Sequence, residues 1–173
     1  GLGDVYKRQV LPNTAVWLID GAVQVGDSAS SPELFISKGT RIRGSTDGIN
    51  PDYLYISAGA SIDARGEVDS PIIFSSNDDI DLNVAGGGKW GGIIIEDTVA
   101  FNAENRLEYV VIAEGGAEVT INSKTYNSNL TLDGDHDNTI LRYVQSHDAR
   151  GDGIRLQGSN GTQNTARMDW LLI

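Results

Sequence analysis

Three aspartates alternate with other residues in the segment Asp133-Gly134-Asp135-His136-Asp137. Carboxylate oxygens at this spacing in a turn can converge on a hard cation such as Ca²⁺. The segment matches the opening of a calcium-binding loop, but Asn138 replaces the usual glycine and Val144 replaces the bidentate glutamate. The sequence predicts a Ca²⁺ site at Asp133, Asp135 and Asp137 and no other cofactor. A solvated acidic turn is the alternative, which also applies to the weaker cluster Asp78, Asp79 and Asp81.

A second polar segment, His147–Arg155, collects acidic, basic and guanidinium groups at one turn. A glycosidase needs two carboxyl groups at a defined separation, which Asp148 and Asp152 would supply. Arg155 would then hold an anionic sugar. No second part of the chain presents matching carboxylates, so a structural turn is the alternative. The two histidines, His136 and His147, have no serine in a nucleophile setting and are interpreted as surface turn residues.

The glycine-rich segment Gly86–Gly91 formally contains the G-x-G-x-x-G pattern of dinucleotide-binding proteins. That pattern requires a helix after it, whereas Ile93-Ile94-Ile95 is typical of a strand. Trp90 also stands where a phosphate-binding loop requires serine or threonine. We therefore reject nucleotide binding, and interpret Trp90 as closing a turn of the chain against a glycine bend, with stacking on a sugar as the alternative.

Short strands must position all these residues. No window of the chain has apolar residues at helical spacing, and short apolar runs separated by turn residues dominate. Four prolines are spaced 20, 19 and 20 residues apart, and Leu34, Leu54, Phe74 and Ile94 recur every 20 residues. A short fixed period indicates stacked repeats, so we predict an all-β, parallel β-helix of roughly seven coils with Leu34 above Leu54.

A second set of similar segments lies later in the chain. Leu107–Val110, Leu141–Val144 and Met168–Leu171 share the order apolar, charged, aromatic, apolar. Leu130–Leu132 and Ile154–Leu156 are similar at a spacing of 24 residues. We predict that these segments also stack, and that 78–89 and 114–129 hold extra residues as loops on one side of the column.

The ends of the chain suggest a fragment. Residues 1–9, GLGDVYKRQ, match the translation of a transposon-based sequencing adapter, and the chain stops within the apolar run Trp170–Ile173. We expect residues 1–9 to be foreign to the protein and residues 10–173 to be a partial β-helix domain, truncated at both ends. Cutting such a column exposes strand edges, so aggregation of the isolated piece is expected.

Composition excludes several functions. The net charge is −11, which disfavours binding to nucleic acids and anionic membranes. The chain contains no cysteine, which excludes disulfides and thiolate metal sites. It also lacks an apolar stretch of 18 residues, so no membrane span is predicted in this piece.

The segments LYISAGASIDARGEVDSPIIFSS, WGGIII and LRYVQSHDARGDGIRLQG resemble right-handed parallel β-helix proteins of the pectin-lyase-like architecture. More narrowly, they are similar to poorly characterised bacterial surface lipoproteins. The resemblance covers most of residues 15–173 and implies an extracellular or outer-surface location. It implies either a non-catalytic segment for adhesion or glycan binding, which we favour, or a polysaccharide lyase or hydrolase. The hydrolases' paired-aspartate motif is absent, and Gly151-Asp152-Gly153 stands in its place.

Overall fold

The computed structural model describes residues 8–27, 31–46, 50–77, 86–96, 104–158 and 166–173. These residues contain sixteen strands and no helix. In chain order the strands are β1 (Gln9–Leu11), β2 (Val16–Leu18), β3 (Ala22–Val25), β4 (Glu33–Ile36), β5 (Arg41–Gly44), β6 (Tyr53–Ile56), β7 (Ser61–Arg65), β8 (Ile72–Ser76), β9 (Gly92–Glu96), β10 (Asn105–Ala113), β11 (Val119–Ile121), β12 (Lys124–Tyr126), β13 (Leu130–Asp133), β14 (Thr139–His147), β15 (Ile154–Gln157) and β16 (Arg167–Leu172). Asp78, Asp79 and Asp81 lie outside the described residues.

The strands form three parallel faces around one apolar interior. Face A contains β1, β4, β7 and the first halves of β10, β14 and β16. Face B contains β2, β5, β8 and the second halves of the same three long strands. Face C contains β3, β6, β9, β13 and β15. The chain is therefore a right-handed parallel β-helix, as the sequence predicted.

Six turns of the helix can be followed in the described residues, and the last is represented by β16 alone. The sequence predicted roughly seven, because it assumed turns of 20 to 25 residues. The observed spacing between paired residues is longer and less even. Leu130 pairs with Ile154, 24 residues on, whereas Asp63 pairs with Arg106, 43 residues on.

The predicted stacking of Leu34 on Leu54 is wrong. Leu34 lies on face A and pairs with Ile62, whereas Leu54 lies on face C and pairs with Val23 and Ile93. The 20-residue period instead arises because the same strand–turn–strand geometry occurs at two different corners of the column. Each of the two similar segments is a strand, a tight turn closed by an i+3 to i backbone hydrogen bond, and a second strand. The glycine in each turn, Gly39 or Gly59, has positive φ (75° and 86°), a conformation that glycine adopts at little cost.

The later repeats do stack as predicted. Leu107 pairs with Leu141, which pairs with Met168, and Val110 pairs with Val144, which pairs with Leu171. Leu130–Leu132 pairs with Ile154–Leu156 in the predicted register. Side chains that point inward from these rungs extend the continuous core, in which Leu107, Val110, Leu130, Leu132, Leu141 and Val144 are almost fully buried.

The core contains one aromatic pair and depends on buried asparagines at its corners. The Phe74 and Trp90 rings are both fully buried, nearly parallel, and 6.4 Å apart between centroids. Trp90 packs against Gly44 of β5, where a Cβ atom would lie 3.0 Å from the tryptophan Cβ, and its closing of a glycine bend stays a prediction. Buried Asn129 accepts a hydrogen bond from the Gly115 amide and donates to the carbonyl of Ile112, which satisfies backbone groups where the chain turns.

The loop at 114–129 leaves the column, as predicted, and folds back as the antiparallel hairpin β11–β12. Asn122 and Ser123 form its tip with positive φ (49° and 65°), as a two-residue hairpin turn requires. Val119 and Tyr126 pack on Tyr55 and Ile94, which point outward from face C. The hairpin therefore covers part of the outside of the column.

Candidate functional site

The structure separates the environments of the three aspartates predicted to bind Ca²⁺. Asp133 ends β13 and is buried, Asp135 is half-buried, and Asp137 is exposed. Asp133 Oδ2 accepts hydrogen bonds from Lys124 Nζ at 2.8 Å and from Tyr126 Oη at 2.6 Å. Across the described residues, no group of three or more His, Cys, Asp or Glu side chains lies close enough together to hold a metal ion. The Ca²⁺ site therefore stays a prediction.

The buried histidine of this turn corrects one interpretation of the sequence. His136 is fully buried, and its Nδ1 lies 3.1 Å from Thr139 Oγ1. The prediction that it is a surface residue is wrong, because no part of its side chain is accessible to solvent. His147 is exposed as predicted, with Nδ1 2.7 Å from Asp148 Oδ2.

The alternative catalytic residues are all exposed: Asp148 and Asp152 lie on the turn that leads from face B to face C, and Arg155 lies in β15. Asp152 Oδ2 lies 3.8 Å from an Arg155 guanidinium nitrogen, while Asp148 contacts His147 instead. The structure thus brings Asp152 and Arg155 together as a loose surface pair and gives Asp148 a separate partner. Their catalytic role stays a prediction.

A buried ion pair lies beneath this turn. Lys89 Nζ is 2.9 Å from Glu114 Oε1, and the two side chains are 11% and 14% exposed. The Ser76 hydroxyl and amide donate to the other oxygen of Glu114. Burial raises the pKa of Glu114, but the hydrogen bonds from Lys89 and Ser76 outweigh it and hold the pKa below its usual value. Glu114 is therefore a fixed negative charge that joins the turn after β8 to the turn after β10.

Three aromatic side chains stack along the corner between faces A and B, and we call Tyr109, Tyr143 and Trp170 the aromatic corner. The Tyr109 and Tyr143 rings are 4.5 Å apart between centroids, and the Tyr143 and Trp170 rings are 6.2 Å apart, with interplanar angles of 17° and 10°. Tyr143 is 37% exposed and Trp170 is 75% exposed. Because 6.2 Å exceeds the ~4.8 Å between rungs, the tryptophan is displaced sideways and leaves part of the Tyr143 face open.

A row of alternating charges runs beside the aromatic corner on face A. Its rungs, in register, are Arg65, Glu108, Arg142 and Asp169. The Arg142 guanidinium lies 5.7 Å from the centre of the Tyr143 ring, and within the described residues Arg142 makes no ion pair. The surface therefore offers aromatic rings and alternating donors and acceptors along one line, an arrangement suited to a polar, repetitive ligand.

Sequence reasoning missed a polar niche on the outside of face C. Glu96 and Asp133 are in register on neighbouring strands, and each is bonded to a phenol, Tyr55 and Tyr126 respectively. Burial, and then the hydrogen bond to its carboxylate, raises the pKa of each tyrosine, so both phenols stay protonated and donate. Glu96 and Asp133 end the similar runs IIIE and LTLD, and that shared position was the available signal.

The comparisons with known proteins agree with this architecture. A family model described as a pectate-lyase like beta helix domain matches residues 3–123. No curated protein and no solved structure was found to match the chain. In the part of the chain that the structure describes, no helix is long and apolar enough to cross a membrane.

Proposed function

Because the chain belongs to the pectate-lyase-like β-helix family, we propose that it is a non-catalytic domain that binds glycans along the aromatic corner, as part of a secreted or cell-surface adhesin. The observation that carries the proposal is the stack of Tyr109, Tyr143 and Trp170, which is continuous over three rungs and increasingly exposed. Members of this family are commonly extracellular, which agrees with the proposed location.

Backbone strain at the aromatic corner supports a specific role for these rings. Tyr109, Tyr143 and Trp170 all have positive φ, at 49°, 53° and 58°. Such a conformation is rare for bulky residues and costs ~1 kcal/mol or more for each. Stacking between the rings offsets part of that cost. The strained backbone directs the rings outward, where an amphipathic ligand can use them.

The charges favour a neutral glycan. The net charge of −11 repels polyanions over the whole surface. Along the row beside the rings, each arginine is followed by a carboxylate, so the local field is balanced as well. Guanidinium groups donate and carboxylates accept, which matches the paired donor and acceptor character of sugar hydroxyls. Arg142 places such a donor beside the Tyr143 ring.

The exposed carboxylates do not argue for turnover. A glycosidase needs two carboxyl groups aimed at one bond. Asp152 is 3.8 Å from an Arg155 nitrogen, and Asp148 is 2.7 Å from His147 Nδ1, so each is engaged locally. The alternative is a polysaccharide lyase or hydrolase, so the experiment must also be able to detect cleavage of the polysaccharide.

Affinity electrophoresis of residues 1–173 in gels that contain neutral or uronic-acid polysaccharides tests the proposal. We expect retardation in at least one neutral polysaccharide and little in anionic ones. Trp170→Ala and Tyr143→Ala should reduce retardation at least about tenfold in apparent affinity, since buried aromatic contacts dominate such interfaces. Tyr143→Phe, which keeps the ring, should retain most of it.

Two arginine variants distinguish an effect at the proposed binding site from an effect of losing one positive charge anywhere on the surface. Arg142→Ala should weaken retardation, whereas Arg41→Ala, an exposed arginine on face B, should not. Unchanged retardation in Trp170→Ala and Tyr143→Ala would contradict the location. Release of reducing ends or unsaturated products from any polysaccharide would contradict the non-catalytic function and favour the enzyme.

A further inference from the structure

The hairpin β11–β12 is fastened to the column by one charged contact. Within the described residues its strands pair only with each other. Lys124 Nζ lies 2.8 Å from Asp133 Oδ2, and Tyr126 Oη donates to the same oxygen at 2.6 Å. The Asp133 side chain is 3% exposed, whereas that of Lys124 is 52% exposed. An amine is thus held against a carboxyl group that has been removed from water.

A second carboxylate lies on the next rung. Glu96 is the register partner of Asp133, and its Oε2 accepts a hydrogen bond from the Ala58 amide at 3.0 Å. Ile94 and Val119 pack nearby and exclude water from the inner side of the niche. An amine, a buried carboxyl and a neighbouring carboxylate are the groups that amide formation between side chains requires.

We propose that Lys124 and Asp133 join through a side-chain amide, an intramolecular isopeptide bond, with Glu96 as the proton carrier. The reaction begins when a proton passes from Nζ to the Asp133 carboxyl group along their 2.8 Å contact, which leaves an amine and an acid side by side. Nζ then attacks Cγ of Asp133. Glu96 takes the remaining excess proton from Nζ and returns it to the departing oxygen.

The reaction balances without an added reagent. The Nζ–Cγ bond forms, one Cγ–O bond of Asp133 breaks, and one water molecule leaves, with no change in oxidation state. Tyr126, which donates to Oδ2, stabilises that oxygen as it leaves. The product would fix the hairpin covalently in a chain that has no cysteine for a disulfide.

The pair Lys89–Glu114 provides an internal comparison. Its amine and carboxylate are 2.9 Å apart, but the hydrogen bonds from Lys89 and Ser76 hold the pKa of Glu114 below its usual value, which opposes the proton transfer that the amide bond requires. An ionised carboxylate is a poor acceptor for an amine. Lys89 is therefore expected to stay free.

Intact-protein mass spectrometry of the full 173-residue chain tests the proposal. We expect a mass lower than the sequence mass by one water molecule. Trypsin should then fail to cut after Lys124, so that one peptide covers 107–142 and lacks a water. The unlinked protein would give two peptides, 107–124 and 125–142, at their full masses. A full sequence mass after prolonged incubation at several pH values would overturn the proposal.

Three variants locate the bond. Lys124→Arg keeps the positive charge but lacks a nucleophilic amine, and should have the full mass. Glu96→Gln should form the bond at least about tenfold more slowly, as loss of a general base does. Lys89→Arg should keep the water loss. Because Asp133-Gly134 can also lose water as a succinimide, water loss that persists in Lys124→Arg would overturn the proposal. Circular dichroism of each variant checks that it folds.

Discussion

The early and late turns of this column repeat their sequences for different physical reasons. In the early turns, the similar segments around Gly39 and Gly59 are corners of the same geometry on different sides of the column. In the late turns, the similar segments Leu107–Val110 and Leu141–Val144 lie directly above one another. Where the chain turns from face A to face B, the early corner has Gly39 at positive φ, whereas the late corners have an aromatic residue there.

The comparison teaches how to read a solenoid sequence. Apolar residues around a glycine recur wherever a strand enters and leaves a tight corner, so they report local backbone geometry. Charged and aromatic residues that point outward have no such local cause. Their recurrence at Glu108, Arg142 and Asp169, or at Tyr109 and Tyr143, reports contact between neighbouring rungs.

Engineered disulfides would test most directly which similar segments are stacked and which only share a corner geometry. Phe35 and Asp63 are register partners that point outward from face A, at a Cα separation of ~4.8 Å that a disulfide can span. Phe35→Cys with Asp63→Cys should therefore oxidise to a bridge within one chain. Phe35→Cys with Tyr55→Cys, which preserves the 20-residue spacing, should stay reduced, because Tyr55 is on face C.

The chain has no native cysteine, so thiol titration and non-reducing electrophoresis give a clear answer. Bridge formation by the second pair instead of the first would restore the 20-residue stacking and contradict the observed register.

The junction between the early and late turns should lose the most stability on mutation. Glu114→Gln leaves the buried Lys89 ammonium without its counter-ion, at a cost of roughly 3 kcal/mol in the free energy of unfolding. Because folding lowers the pKa of Glu114, the charged pair stabilises the wild type above the unfolded pKa of ~4.3, and this contribution is lost as pH falls through the lower, folded value. Urea unfolding at several pH values measures both effects.

Glu114→Gln has no carboxylate to protonate at this position, so it should lose less stability than the wild type as the pH falls. Glu118 lies in the same loop, 114–129, but is exposed. Glu118→Gln therefore serves as the control and should change the free energy of unfolding little. Equal stability of Glu114→Gln and wild type at neutral pH would show that the two halves are not joined through this pair.

Substitutions in the aromatic corner should reduce stability less, and alanine should be more destabilising there than glycine. Tyr143→Ala loses two ring contacts and keeps the strained backbone, so we expect a loss of about 2 kcal/mol. Tyr143→Gly loses the same contacts but relieves the strain, so we expect a loss of about 1 kcal/mol. Glycine would thus be less harmful than alanine, the reverse of its usual effect in a strand. Thermal unfolding of both variants checks the order.

The sequence predicts the fold class because parallel stacking leaves a period in the chain, but it does not give the register. The corner loops differ in length, so the spacing between partners ranges from Leu130–Ile154 to Asp63–Arg106 and no single period describes it. The late rungs were predictable, since Leu107–Val110 and Leu141–Val144 carry matching charged and aromatic positions.

The site was less predictable than the fold. The acidic turn at Asp133–Asp137 attracts attention as a local motif, yet the environment of Asp133 comes from Lys124, Tyr126 and the distant Glu96. Contacts of this kind depend on where the hairpin folds back. Short-range patterns do not contain that information, whereas the aromatic corner was visible as a recurring position and needed only its exposure to suggest a role.

The hairpin tip at Asn122 and Ser123 has a practical consequence. The hairpin leaves the column between two faces and returns without changing the register of the stacked strands. Residues can therefore be added at its tip while the parallel pairing of the column is preserved. A peptide epitope or a small domain inserted between these two residues would be displayed away from the column. Such an insertion would convert the protein into a rigid presentation scaffold.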